Sequence, residues 1–588
     1  NNERGRKIDP ETTKIEIYHD GELLTDTGRI ANCFNEYFTN VAEETLKMNN
    51  VHNVSTPATQ HFQAVPRETL ITLNPTTTDE MSKIVSSLRS STSAGIDEIS
   101  TKILKYCAHE LVTPLVKITN LSIEKGVFPS KLKIAKIYPK FKQGDPQNIA
   151  NYRPISLLPS VSKVIEKIIL TRLLKYLREN QLLTDKQHGF ISGKSTTTAI
   201  IDLVDYIIDN MEIGNTITSL YLDLSKAFDC LGHDLILTKL QNLGIRQTAL
   251  SWFASYLKGR KQIVELKETT KGLTRSVQSH FLPARRGVPQ GSVLGPVLFI
   301  LFINDFPEHL GEYCNMIMYA DDTVLLTANR NTEQLEIDTY IAFNMAQEYT
   351  MKNDLVLNEK KTKQMTLGSK KALITELPGL QAADEIKHLG VILDENMRWK
   401  NHIDCLCLKL NSALFALKRT KATSTHEATR VAYHALFESH LRYGITVWGA
   451  SSNGNLHRVL VMQKKAIRIM AGIGPRESCR NIFKNWKILT ATSIYILETI
   501  LYCITKDPPK QQHLHSHYTR QAQDYTLPIH RTTLFEKKPS YAGIKFFNKL
   551  PEHLKGNNPG AVKRTLRCWL QDRAFYTLDE FFSWIDEP

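Results

Sequence analysis

Met316-Ile317-Met318-Tyr319-Ala320-Asp321-Asp322-Thr323-Val324-Leu325-Leu326 sets two apolar runs around a Tyr-Ala-Asp-Asp centre. That pattern predicts a β-hairpin with adjacent carboxylates at its tip. Carboxylates held side by side repel, and each raises the pKa of the other unless a cation relieves the repulsion. Their hard oxygens suit a divalent cation such as Mg²⁺. An ordinary polar turn is the competing reading, because Asp is a favoured turn residue. A third carboxylate separates the two. Ile217 to Leu222 reads as a buried strand and Ser225 to Asp229 has helix-forming character, which places Asp223 at the strand's end. One Asp there and two at a nearby hairpin tip can bracket two cations roughly 3.5–4 Å apart, the arrangement for in-line phosphoryl displacement by a 3′-hydroxyl. The chemistry this suits is nucleotidyl transfer.

Composition is compatible with that reading. The chain has 588 residues, enough for several cores, and carries a formal charge of +14. A basic balance of this size suits a polyanion partner, although many basic proteins bind no nucleic acid. Of nine cysteines the closest pair is Cys405 and Cys407, with no C-x-x-C, so reduced thiols are expected rather than a zinc finger. The longest apolar run, Val293 to Ile303, contains Gly295 and Pro296 and falls short of the ~18–20 residues a bilayer needs, so it predicts a buried helix and no membrane partner. The first residues, Asn-Asn-Glu-Arg-Gly-Arg, lack Met and a signal-peptide profile, as expected of a piece of a longer protein.

Local patterns outline the rest. Asp26 is placed to cap a helix with Ile30, Phe34, Phe38 and Val41 on its apolar face. Residues 49–78 read as a linker, after which Thr78 opens a helix with Met81, Ile84, Val85 and Leu88 inward. Leu408, Leu410, Leu414 and Leu417 predict a further helix, and no internal repeat is evident.

The segments LDLSKAFD (222–229), RRGVPQGSVLGPVLFILFINDF (285–306) and MYADDTVLL (318–326), in this order, resemble the palm of a reverse transcriptase of the non-LTR, LINE-type retrotransposon class. SAGIDEIS (93–100), NYRPISLLPSVSKVIEKII (151–169), QHGFISGKSTTTAI (187–200), LNEKKTKQM (357–365), IKHLGVILDENMRWKNHI (386–403) and SHLRYGITVWG (439–449) also resemble family blocks. The likeness covers residues 80–588, with a C-terminal segment similar to that of arthropod jockey-type elements. It implies an α+β right-hand polymerase. Residues 1–78 would be an N-terminal extension and linker, 79–403 fingers and a palm with an antiparallel sheet, 404–475 a helical thumb, and 476–588 an α-rich C-terminal domain suited to RNA.

The resemblance also assigns residues. Asp223, Asp321 and Asp322 would be the catalytic, metal-holding carboxylates, taking two Mg²⁺ ions with Mn²⁺ as a substitute. Lys142 and Arg153 match finger positions that grip the triphosphate, and Lys140 competes with Lys142 for that role. Phe228 matches an aromatic gate under the sugar, against the plainer reading of a packing residue. Gln290 would lie beside the forming base pair, in a loop whose glycines serve a structural turn equally well. Lys361, with Lys360 and Lys363 close by, aligns with a general acid for departing pyrophosphate. One departure stands out: after Gly189-Phe190 the family usually has Arg, and this chain has Ile191, with Lys194 the nearest cation.

In the C-terminal stretch, Tyr518, Arg520, Tyr525, His530, Arg531, Phe535, Lys537, Lys538, Tyr541, Lys545, Phe546 and Phe547 interleave rings with base, as stacking on single-stranded RNA requires. The alternative is a small core of Phe546, Phe547, Leu550 and Trp569. His513, His515 and His517 have no Cys or carboxylate nearby and read as a loop. The implied activity is RNA-directed DNA synthesis, with template RNA, primer or target DNA and dNTPs as partners. The implied location is intracellular, at nuclear target DNA after cytoplasmic ribonucleoprotein assembly. Neither an upstream apurinic-type endonuclease nor a CCHC knuckle is found in the sequence. An idle RNA-binding scaffold derived from such an element is the alternative, and oligomeric state is left open.

Overall fold

The computed structural model describes residues 15–19, 21–49, 71–270, 273–510, 523–556 and 558–585. Most of the expected linker, together with His513, His515, His517, Tyr518 and Arg520, lies outside these residues.

A five-stranded sheet forms the centre, in the order Gln381–Ala382, Lys363–Leu367, Thr216–Leu222, Asp322–Asn329, Asn315–Tyr319. Every pairing is antiparallel except that of the first two strands. Thr216–Leu222 is buried at all its positions because both faces of the sheet are covered. Strand alternation divides its side chains between two cores. Ile217, Tyr221, Ile317, Val324 and Leu326 join one, whereas Leu220, Leu222, Met316, Met318 and Leu325 join the other.

A second sheet has the order Tyr152–Leu157, Ile134–Phe141, Arg260–Thr270, Leu273–Gln278, and Leu282–Ala284 also pairs with Arg260–Thr270. Helix Thr27–Met48 packs on it, burying Ile30, Phe34 and Phe38 against Ile137, Tyr152 and Val264. Asp26 caps that helix as expected, accepting from Arg29 N at 2.8 Å. The expected helix after residue 77 spans Thr78–Ser87, with Met81, Val85 and Leu88 buried. Helix Gly295–Phe302 is buried almost throughout, as the apolar run predicts. Its N-terminus is held by Glu166, itself fully buried, whose carboxylate accepts from Val293 N (2.7 Å), Leu294 N (3.1 Å) and the Tyr256 hydroxyl (3.1 Å). Among the described residues no helix is long and apolar enough to cross a membrane.

Beyond residue 399 the named elements among the described residues are helices, and one continuous core runs from Trp399 to Phe581, joined to one face of the central sheet. The helix expected from Leu408 to Leu417 forms as Lys400–Thr423, and one other expectation needs correction. In helix Lys400–Thr423 the buried face is Ile403, Leu406, Leu410, Leu414 and Leu417, while Leu408 is 68% exposed. A position two residues before Leu410 lies on the opposite side of a 3.6-residue helix. The rings of the C-terminal stretch are likewise interior: Tyr525, Phe535, Tyr541, Phe546, Phe547 and Trp569 are all buried and cannot stack on bases. Of its cations, Lys538 pairs with Asp209 and Lys545 with Glu536. The small-core alternative is the one the fold adopts.

Candidate active site

The hairpin forms as expected. Tyr319 pairs with Asp322, leaving Ala320 and Asp321 as its two loop residues, and Ala320 adopts φ +54°. Left-handed backbone at a non-glycine residue is costly and has to be held by its surroundings. Gln187, fully buried, does the holding: its Oε1 accepts from Ala320 N at 3.0 Å and from Gly189 N at 2.7 Å. The same segment hydrogen-bonds along the outer strand, through His188 N to Met318 O (2.8 Å) and Met318 N to Lys186 O (2.9 Å). A side chain at Gly189 would put Cβ 2.6 Å from Ala320 N, so only glycine lets the two backbones meet. The QHGF block is thus the brace of the turn. No local signal in the sequence gives Gln187 this role, because it and Ala320 lie 133 positions apart.

Thr323 pairs with Leu222, so Asp322 and Asp223 end neighbouring strands at the same edge. The backbone N–H of Asp223 donates to Thr362 Oγ1 at 3.3 Å, and its carbonyl accepts from Asn358 N at 2.8 Å. Burial, Asp321 and Asp223 together push Asp322 up to about 6. Asp321 is raised by burial and by Asp223, with Arg153 and Lys142 opposing. Among the described residues no three His, Cys, Asp or Glu side chains converge in metal-ligand geometry. Asp223 Oδ2 instead lies 3.9 Å from Lys361 Nζ. The mutual repulsion of hard-oxygen donors nonetheless fits a divalent cation, and Asp223, Asp321 and Asp322 are the residues that would hold it.

Opposite the carboxylates stand cations from the second sheet. Lys140 is directly across from Arg153 in the strand register, but Lys142 and Arg153 are the pair whose charges bear on Asp321. Lys226, missed in the sequence although it lies inside LDLSKAFD, joins them. It adopts φ +49°, its amine sits 5.8 Å from the centre of the Tyr37 ring, and burial and the charges of Lys142 and Arg153 lower its pKa. Only the fold brings helix Thr27–Met48 and this turn together.

Phe228 stacks on Phe299 with ring centres 4.4 Å apart, a packing contact in its own right. Gln290 Nε2 donates to Asp229 Oδ1 at 2.8 Å, and burial raises the pKa of that carboxylate. The glycines around Gln290 are structurally required. Gly287 has φ +75° against the backbone of Phe228 and Asp229, and a Cβ on Gly291 would lie 2.4 Å from Ser156 O. Ile191 is half-buried, and the Lys194 amine is engaged by the Asp185 carbonyl.

Residues 139–393 match the family described as reverse transcriptase (RNA-dependent DNA polymerase). The chain is 28% identical to the probable RNA-directed DNA polymerase from transposon BS of Drosophila melanogaster, over 76% of this chain and 50% of that protein. It is 29% identical to the RNA-directed DNA polymerase from mobile element jockey of Drosophila funebris, over 69% of this chain and 45% of that protein. The chain spans about half the length of these curated relatives. Among solved structures, apo telomerase from Candida tropicalis aligns at 12% identity and a TM-score of 0.33, over 65% of this chain and 71% of that one.

The chain therefore carries a reverse transcriptase domain, with the right-hand polymerase fold and the divalent-metal dependence that this class implies. The family that this domain matches is that of the RNA-dependent DNA polymerases. The curated relatives it resembles are RNA-directed DNA polymerases of transposon BS and of the mobile element jockey.

Proposed function

We propose that the chain copies element RNA into DNA, adding deoxynucleotides to a primer 3′-hydroxyl at a nicked target. The observation that carries this reading is the mutual repulsion of Asp223, Asp321 and Asp322 at one edge of the sheet, with the charges of Arg153 and Lys142 bearing on Asp321. Two divalent ions, Mg²⁺ with Mn²⁺ as substitute, would be held by Asp223, Asp321 and Asp322 and would supply activation of the attacking hydroxyl and stabilisation of the leaving oxygen. Arg153 offers a planar fork to the triphosphate, and Lys142 and Lys226 add point charge. Phe228, fixed by Phe299, forms the floor under the sugar and excludes a 2′-hydroxyl. Gln290, oriented by Asp229, lies by the new base pair. Lys361, beside Asp223, hands a proton to departing pyrophosphate.

On this reading residues 79–403 are fingers and palm, 404–475 the thumb and 476–588 a C-terminal domain, preceded by the 1–78 extension. The work would be done at nuclear target DNA by a ribonucleoprotein assembled in the cytoplasm.

The test is primer extension on poly(rA)/oligo(dT) with dTTP and Mg²⁺, using Asp322→Asn as control. Metal-dependent extension by the wild type and none by the variant is expected. Equal extension by both would sink the assignment, and none by either would leave the RNA-binding scaffold.

A further inference from the structure

Beside the candidate active site, between the start of helix His233–Asn242, the turn after helix Gln247–Leu257 and strand Leu282–Ala284, lies a cleft of about 590 Å³. Its lining includes five cations, Lys258, Arg260, Arg285, Arg286 and Lys352, against two carboxylates, Asp234 and Asp354, a net formal charge of +3. Both carboxylates are engaged: Asp354 pairs with Arg286, and Asp234 with Lys258 at 2.8 Å. Lys352 pairs with Glu348.

Arg260 and Arg285 remain, with no carboxylate partner among the described residues. Arg285 is exposed at the mouth. Arg260 is only 3% exposed. One of its terminal nitrogens donates to Tyr256 O at 3.0 Å, its guanidinium lies 5.0 Å from the centre of the Tyr256 ring, and its other terminal nitrogen is buried without a partner. The neighbouring Lys133 only adds positive charge, and its pKa is lowered by burial and by Arg260. A buried charge without a counter-charge is costly, and an anion in the cleft would remove that cost.

A smaller cavity shares Arg260, Arg285 and Arg286 with this cleft and reaches Pro154, Ser156, Asp229 and Gln290. The basic wall therefore leads to the loop that carries Gln290. A cleft of this size admits a phosphodiester but not a duplex. The guanidinium fork matches phosphate geometry, and backbone phosphates are the contacts that position a strand without reading its sequence.

We propose that this cleft is a phosphate site for the backbone of single-stranded RNA beside the active site, with Arg285 as the contact at its mouth and Arg260 as the fixed charge behind it. The assignment rests on the chain being an RNA-copying enzyme.

Fluorescence anisotropy of a short labelled RNA across a salt series tests it, with Arg285→Gln and Arg260→Gln checked by thermal melting. Arg285→Gln should weaken binding several-fold and equally for different sequences, and lower the salt slope by about 0.7, the value for one single-strand phosphate. In a second arm, inorganic phosphate should raise the melting temperature of the wild type more than that of Arg260→Gln. Loss of phosphate stabilisation with RNA binding unchanged in Arg285→Gln would overturn the strand assignment in favour of a small anion. No change in either arm would overturn the site. Wild-type primer extension, run alongside, reports on the catalytic reading separately, because the anisotropy arms need no turnover.

Discussion

Two acidic groups sit on the central sheet and its covering helix, and they are built oppositely. Asp223, Asp321 and Asp322 crowd one strand edge and repel one another, and among the described residues their one ion-pair partner is Lys361, near Asp223. Asp202, Asp205, Asp209 and Glu212 line one face of helix Thr196–Glu212, where the C-terminal helices meet them with complementary groups. Lys506 stands 3.3 Å from Asp202, Lys538 is 2.5 Å from Asp209, and Thr532 N donates to Glu212 at 3.0 Å. Tyr502 and Ser540 stand beside Asp205. Similar residues thus serve different ends. Repulsion left standing inside a rigid frame marks a place for a ligand, whereas repulsion answered by the protein's own cations marks a docking surface.

The sharpest way to break this contrast is Asp321→Asn. Extension should fall by about 10²–10³-fold, the scale of losing an electrostatic stabiliser in an active site. The melting temperature in metal-free buffer should hold or rise, because a repulsive charge is gone. A clear fall in stability would mean that the first group is structural after all.

Gln187→Leu probes the frame rather than the charges. With the hydrogen bonds to Ala320 N and Gly189 N removed, the turn shifts, and a misplacement of about 1 Å can cost roughly 10²-fold in rate. The loss should appear in kcat while RNA affinity stays within a few-fold. An unchanged kcat would show that the hairpin holds itself.

In the docking group, Asp205 carries a raised carboxyl. Burial pushes its carboxyl up to about 7 from 3.8, with Asp209 and Asp202 adding to the rise and Lys538 and Ser540 opposing it. Between those values the folded chain holds a proton that the unfolded chain has lost, so this group's contribution to stability falls as pH rises through that window. Asp205→Asn should therefore gain on the wild type in melting temperature as the buffer moves from acid to above neutral. A constant gap across that range would contradict the burial.

Asp209→Asn should do least. Its carboxylate is half-exposed, and the loss of its pair with Lys538 should cost about 1 kcal/mol or less, with extension unaltered. Urea denaturation and primer extension together check this, and a large loss of activity would tie the C-terminal helices to catalysis.

Some of this was legible from residues alone. The hairpin, the Asp223 strand end, the buried Gly295–Phe302 helix and the Asp26 cap each rest on neighbours in sequence, where alternation and capping chemistry act. The C-terminal rings were misread, because the interleaving of rings and cations in sequence does not show which of them packing will cover.

By itself the sequence determined the chemistry of the chain: which carboxylates lie beside a turn, which runs alternate, and where cations are dense. Only the tertiary structure decided how those groups meet. Gln187 reaches Ala320, Glu166 reaches the backbone at 293–294, Lys226 joins Lys142 and Arg153, and Arg260 is buried with no carboxylate partner among the described residues. The physical reason is that charge and hydrogen-bonding capacity belong to a residue, whereas burial and the identity of its partner depend on packing between segments far apart along the chain.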